Sequence, residues 1–274
     1  MSFILTSRTR TKQPHEIVRA SRNYSLVGLW LPGQNDRDLV SPLVLSSRGS
    51  PNDPKEIGSF GPALGLRGSG SAIYSTALSQ HKPASTASIV WVGNLSSGFS
   101  SDACLGGVTY DSANSNPYVG FEIKRYISGL DYIYLTFSTG GTYYKLQSSN
   151  TYATGAVVVV GVMSSGYQRL YIRSAAGIET LSGTQSISTF DYASTARVEI
   201  GESLNARTPA ASCALMVIAN KPWGDAMARS VVANPWQLLS PQQSPGFYPS
   251  SGGGGGGGAK VLTPFRRIWT RQPR

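Results

Sequence analysis

The chain is poor in the residues that build most active sites. Its two histidines, His15 and His81, and two cysteines, Cys104 and Cys213, are scattered through 274 residues. Cysteines this few and this far apart exclude a disulfide scaffold and a thiolate metal cluster; two buried free thiols are expected ahead of a single bridge. A Ser-His-Asp triad needs a histidine held between a carboxylate and a nucleophile, and no serine lies in a GxSxG setting, so both histidines read as surface residues. Long runs of good helix formers are absent, as is any run approaching the roughly 20 apolar residues that span a bilayer. The opening MSFILTSRTRTK has no apolar stretch of signal-peptide length, which predicts folding in a cytosol and no membrane insertion.

What the chain has in abundance is turn chemistry and strand chemistry. It holds 31 glycines and 16 prolines, with serine and threonine plentiful. That mix predicts an all-β protein with many turns. Residues 156–181, AVVVVGVMSSGYQRLYIRSAAGIETL, read as strand, tight turn, strand, tight turn, strand. The first strand is a continuous apolar run, too short for a buried helix and rich in β-branched valine. In the second, Leu170 and Ile172 alternate with Arg169, Tyr171 and Arg173, so one face is apolar and a second sheet must cover it. Further strands are expected at 24–31, 63–66, 71–74, 88–92, 104–110, 119–126, 131–138, 142–147, 196–200 and 214–219. Residues 46–59, broken by Gly49, Pro51 and Pro54, read as a loop, and 221–233 as a weak helix ended by Asn234-Pro235.

The net charge of +10 is concentrated at the ends. Residues 1–22 hold Arg8, Arg10, Lys12, Arg19 and Arg22 against Glu16, and residues 260–274 hold five cations and no acid; the body between is nearly neutral at +1. Basicity therefore marks two terminal arms and not a nucleic-acid-binding face on the fold. Four parts follow: a basic arm at 1–22, a β domain at 23–240, a Pro/Gly-rich linker at 241–259 containing Gly252–Gly258, and a second basic arm at 260–274.

The order of pieces carries a resemblance. SLVGLWLPG is followed by SIVWV, then VVVVGVMSSGYQRLYI, then VEIGESLN, ALMVIANKPW and NPWQLL. Over residues 24–239 this resembles the laminin-G-like, concanavalin A-like jelly-roll family, whose hairpin strand commonly reads like GVYDGGTLRLYVDG. The closing NPWQLL looks like the version found in tailed bacteriophages. The resemblance implies a two-sheet antiparallel jelly-roll sandwich with extended basic N- and C-terminal arms. Calcium-binding members carry aspartates on loops; Asp36, Asp38, Asp102 and Asp111 are available, but no compact acidic loop has metal-ligand spacing, so no cofactor is expected. The family's glycoside hydrolases carry paired carboxylates on one strand. Here Glu199 and Glu202 are three apart and face opposite ways on an extended strand, and Glu122 is alone on its strand, so no enzyme is expected.

Two groups of residues remain as candidate sites. The tyrosines of the middle strands, Tyr132, Tyr134, Tyr167 and Tyr171 among them, suit cross-strand packing, and they also suit stacking on a sugar. The terminal KVLTPFRRIWTRQPR interleaves cations with apolar side chains; Lys260, Phe265, Arg266, Arg267, Ile268, Trp269, Arg271 and Arg274 form an expected partner-binding arm. Together these predict a non-enzymatic virion component, made in the bacterial host cytoplasm. It would display a lectin-like domain and be fastened by its arms to a major capsid or tail protein and to copies of itself. The alternative is an adhesion module that recognises host surface glycans. Nucleic acid is a lesser partner class, through the last arm alone.

Overall fold

A computed structural model describes residues 24–34, 36–45, 47–48, 55–67, 70–97, 103–110, 119–126, 131–201 and 209–239. All of them belong to one compact unit, Met1–Gln242. Both basic arms, His15 and the candidate residues from Lys260 to Arg274 lie outside the described residues.

Fifteen strands are formed by the described residues: β1 (Leu26–Trp30), β2 (Ser47–Arg48), β3 (Lys55–Gly58), β4 (Gly61–Leu66), β5 (Ala72–Thr76), β6 (Ala87–Leu95), β7 (Ala103–Tyr110), β8 (Val119–Tyr126), β9 (Tyr132–Thr139), β10 (Thr142–Gln147), β11 (Gly155–Ser164), β12 (Tyr167–Ser174), β13 (Gly177–Gly183), β14 (Arg197–Gly201) and β15 (Ala211–Ala219). One α-helix, α1 (Asp225–Ala233), follows, and then a 3-10 turn at Pro235–Leu239. The expected strands are found, with two additions. The stretch 46–59, read as a loop from its breakers, contributes β2 and β3. Both are short edge strands, where prolines nearby cost no ladder hydrogen bond.

The strands form two antiparallel sheets. An eight-stranded sheet runs β13-β12-β11-β6-β15-β4-β3, with β1 also paired to β15; a seven-stranded sheet runs β10-β9-β8-β7-β14-β5-β2. β4 and β5, separated by only five residues, go to different sheets. This is a two-sheet antiparallel jelly-roll sandwich. Its core lies between the sheets: Trp30, Leu64, Ile89, Trp91, Val159, Leu170, Ile172 and Met216 meet Ile73, Val108, Phe121, Ile123, Leu135, Phe137, Val198 and Ile200.

The alternation seen along 167–173 holds, with Leu170 and Ile172 in that core. The other face of the eight-stranded sheet is also covered. Val90, Val92, Val158, Val160, Val162, Tyr171, Leu215 and Val217 pack with Trp223, Ala228, Val231, Val232, Leu238 and Leu239 from α1 and its flanks. Burial on both faces explains why VVVV at 157–160 and ALMVIA at 214–219 are continuous apolar runs. A small cluster fixes α1 to the sheet: Tyr171 Oη donates to Asp225 (2.9 Å), which also accepts from Arg229 Nε (2.8 Å).

Candidate ligand-binding face and end groove

The seven-stranded sheet has a different outer face. Apart from Arg125 its inward residues are apolar, so the period of two turns every intervening side chain outward. Register then aligns these side chains across six strands. Lys145, Thr136, Glu122, Gly107, Glu199 and Tyr74 stand in one row. Tyr143, Ser138, Gly120, Thr109, Arg197 and Thr76 form the next, and Gln147, Tyr134 and Lys124 a third. The helix packs elsewhere, on β11 and β12.

The centre of this face is polar and buried. Glu122 is 3% exposed, Lys124 4% and Glu199 1%. Lys124 Nζ lies 3.1 Å from Glu122 Oε1, and Thr136 Oγ1 donates to the same oxygen at 3.3 Å. Buried charges demand such pairing, since an unpaired one costs several kcal/mol, on the order of the net stability of a domain. The flanks are open. On β10, Lys145 and Gln147 are exposed and Tyr143 is half-buried; on β5 and β14, Tyr74 and Arg197 are half-buried. The Arg197 guanidinium sits 4.5 Å from the Tyr74 ring centre, and Lys145 Nζ 5.5 Å from that of Tyr134. Tyr134 Oη donates to Gln147 Oε1 at 2.8 Å. Between the flanks, Gly107 and Gly120 lack side chains. A Cβ on Gly120, whose φ is +95°, would sit 1.9 Å from the Val108 carbonyl oxygen.

Of the tyrosines expected to face a sugar, Tyr132 and Tyr134 lie on this face, the first half-buried and the second buried, and Tyr167 and Tyr171 do not join them. Both stand on β12 in the other sheet. Tyr171 is fully buried beneath α1 with its hydroxyl on Asp225, and Tyr167 packs beside the same cluster. Alternation along β12 gave their face correctly; it could not give the helix that covers it. The carboxylates also differ from expectation. Glu122 is alone on its strand, yet Glu199 joins it on the same row across Gly107. Glu202 lies outside the described residues, as do Asp102 and Asp111. Lys124, Lys145, Arg197 and Tyr74 were missed, although FEIKRY at 121–126 alternates apolar with charged residues and so marks an outward polar face.

His81 is not a surface residue. It is fully buried against Trp30, with ring centres 5.6 Å apart, and its Nε2 is shared between Ser41 Oγ at 3.3 Å and Asp38 Oδ2 at 3.2 Å. Ser41 Oγ also donates directly to Asp38, and Asp38 Oδ1 accepts from the amides of Leu29 (2.8 Å) and Val40 (2.9 Å). A triad uses both ring nitrogens, one on the carboxylate and one on the nucleophile. Here one nitrogen meets both, so the cluster ties residues 38–41 to β1 and is not arranged to activate Ser41. No group of three or more His, Cys, Asp or Glu that could hold a metal ion occurs among the described residues. Cys104 and Cys213 are both buried, and neither forms a disulfide.

A groove of about 700 Å³ opens at one end of the sandwich, between residues 150–156 and the β12–β13 turn at 174–179. Glu179 fixes one wall. Its Oε1 accepts from the amides of Ser149 (2.6 Å) and Asn150 (3.2 Å), and its other oxygen takes the Tyr152 hydroxyl. Below it, Arg125 holds the carbonyls of Tyr152 and Ala153.

No protein-family model matches the sequence, and no curated protein does. Solved structures do match in shape. The fold is that of a lectin-like β-sandwich. The binding domain of Paraclostridial Mosquitocidal Protein 1 superposes with a TM-score of 0.58 at 12% identity, over 76% of this chain and 52% of that one. Trypanosoma rangeli sialidase in complex with sialic acid gives 0.54 at 10% identity, over 85% and 39%. The CBM40 domain of Ruminococcus gnavus IT-sialidase gives a looser 0.46 at 12% identity, over 62% and 96%. This sandwich thus spans about half of the first structure and two fifths of the second.

Proposed function

We propose that this chain is a glycan-binding module whose ligand is held at the open flanks of the outward face of the seven-stranded sheet. One observation carries the reading: the half-buried Tyr74 under Arg197 and the half-buried Tyr143, two residues from the exposed Lys145 on β10, flank a buried polar centre. Aromatic faces stack on the C–H faces of sugar rings, while neighbouring cations and amides orient the hydroxyls; few polar groups on a rigid frame suffice for specificity. Because Glu122 and Glu199 are buried while Lys145 and Arg197 reach solvent, against one half-buried carboxylate, Asp191 beside Ser138, the accessible charge is net positive, which favours an acidic sugar. The similarity in shape to the binding domain of a mosquitocidal protein and to a sialidase in complex with sialic acid supports the reading at the level of fold and makes a sialylated trisaccharide the first probe. In calorimetry, Arg197→Ala and Tyr143→Ala should each weaken binding about tenfold, a loss of ~1.4 kcal/mol, with unchanged melting temperature. Absence of binding to any acidic glycan, or unaltered affinity in both variants, would reject the proposal.

A second reading places this module on a phage particle as a non-enzymatic structural or decoration protein. The charge of the two ends and the NPWQLL stretch at 234–239 favour it. Deleting residues 252–274 should then abolish incorporation into particles; normal copy number in the truncated form would count against an anchoring arm.

A further inference from the structure

We infer that the end groove is a second binding site, separate from the tyrosine face, and that it takes a neutral saccharide of about disaccharide size. Three observations carry this. The first is a strand edge at the groove. β11 pairs with β6 from Gly155 onward, but with β12 only from Val158, where it meets Arg173. Residues 155 and 156 therefore extend past Ser174, the last residue of β12, and backbone donors and acceptors on that edge are available to a ligand.

The second is the lining. Side chains of Asn150, Thr151, Thr154 and Ser174 supply hydroxyls and an amide, and Glu179 is the one charged residue among those that line the groove. Its oxygens already accept three donors from Ser149, Asn150 and Tyr152, which fixes the carboxylate in place. Each oxygen retains accepting capacity for a sugar hydroxyl. A fixed negative charge repels an anionic sugar, so this groove selects the opposite charge class from the tyrosine face. The exposed Ile178, 45% accessible, offers a small apolar surface beside these polar groups.

The third is preorganisation. Both walls are held before any ligand arrives: Arg125 clamps the Tyr152 and Ala153 carbonyls, and Ser174 Oγ accepts from the Ala176 amide at 3.2 Å in the facing turn. A site built on fixed backbone loses little entropy when filled. The volume lies within the roughly 300–1,000 Å³ range of small-ligand pockets.

The test is an amide NMR titration of the full chain with maltose, cellobiose and lactose, each to about 50 mM, where a site with Kd ~1 mM is filled. At least one should shift the amides of residues 150–156 and 174–179. Ala176→Trp, on an exposed turn, should weaken that binding at least tenfold, and Tyr143→Ala should leave it unchanged. Shifts absent from both segments with all three sugars, or equal affinity in Ala176→Trp, would overturn the inference. Sialylated glycan binding, with its own variants on the other face, is read independently, so either site can fail alone.

Discussion

Arg125 offers the sharpest test of what holds this sandwich together. Its guanidinium is fully buried and spans three separate segments. Nη1 donates to the carbonyls of Ser96 (2.6 Å), Ala210 (3.0 Å) and Pro209 (3.3 Å); Nη2 reaches those of Tyr152 (3.5 Å) and Ala153. Asp131 stands 3.6 Å away as its counter-ion. Burial lowers the Arg125 pKa to about 10, partly offset by Asp131, so it stays protonated at neutral pH.

Arg125→Met removes the charge but cannot remove the acceptors, because they belong to the backbone. A hydrogen bond to a charged group contributes about 1.5–3 kcal/mol, and three of these are close. Water entering the gap and the desolvation cost no longer incurred offset part of that sum. The net expected loss is about 3–5 kcal/mol, the usual cost of breaking a buried charge cluster by removing one partner. Against a domain stability of roughly 5–15 kcal/mol this is a large fraction. Urea unfolding followed by tryptophan fluorescence should show the midpoint falling at constant slope, and hydrogen exchange should quicken at residues 96, 152–153 and 210. Arg125→Lys should recover little, since one ammonium cannot span three segments. A loss below ~1 kcal/mol with unchanged exchange would refute the clamp.

Glu179 gives a pH signature. Burial pushes its carboxyl up, but hydrogen bonds from Tyr152, Ser149 and Asn150 together outweigh that and hold it below the ordinary carboxylate value. The folded pKa lies below the unfolded one, so its stabilising contribution is fully present above the unfolded value and is lost as pH falls through the folded value. The Ser149 and Asn150 amide shifts should therefore titrate below pH ~4.3, and Glu179→Gln should abolish the transition; a midpoint above that pH contradicts the hydrogen-bond assignment. Gly120→Ala forces an alanine to a φ of +95° with its Cβ against the Val108 carbonyl, whereas Gly140→Ala, at +58°, meets no atom within 4 Å. Thermal melts should show the first costing ~1–3 kcal/mol more than the second; equal melting temperatures would mean β8 relaxes freely.

Much of the fold was legible because it is local. The 156–181 meander announces itself through two tight turns and the alternation of Leu170 and Ile172 with Arg169 and Arg173. What was hidden depends on partners distant in sequence. Nothing near Glu199 marks that β14 lies beside β7, so the alignment of Glu122, Gly107 and Glu199 in one row emerges only from long-range pairing. His81 looked like a loop histidine because its partners, Asp38, Ser41 and Trp30, lie some forty to fifty residues upstream.

Arg125 was concealed for a different reason. Along β8, Glu122 and Lys124 are out of phase with Phe121 and Ile123, as outward residues must be, but Arg125 is in phase with them and so turns inward. A cation on the apolar phase of a strand is tolerated only where enough carbonyls converge to satisfy it. At Arg125 they come from three loops, which makes this residue the support for both the end groove and the 209–210 corner. The same break in phase that looks like a flaw in an amphipathic strand is therefore the local sign of the residue that ties one end of the sandwich together.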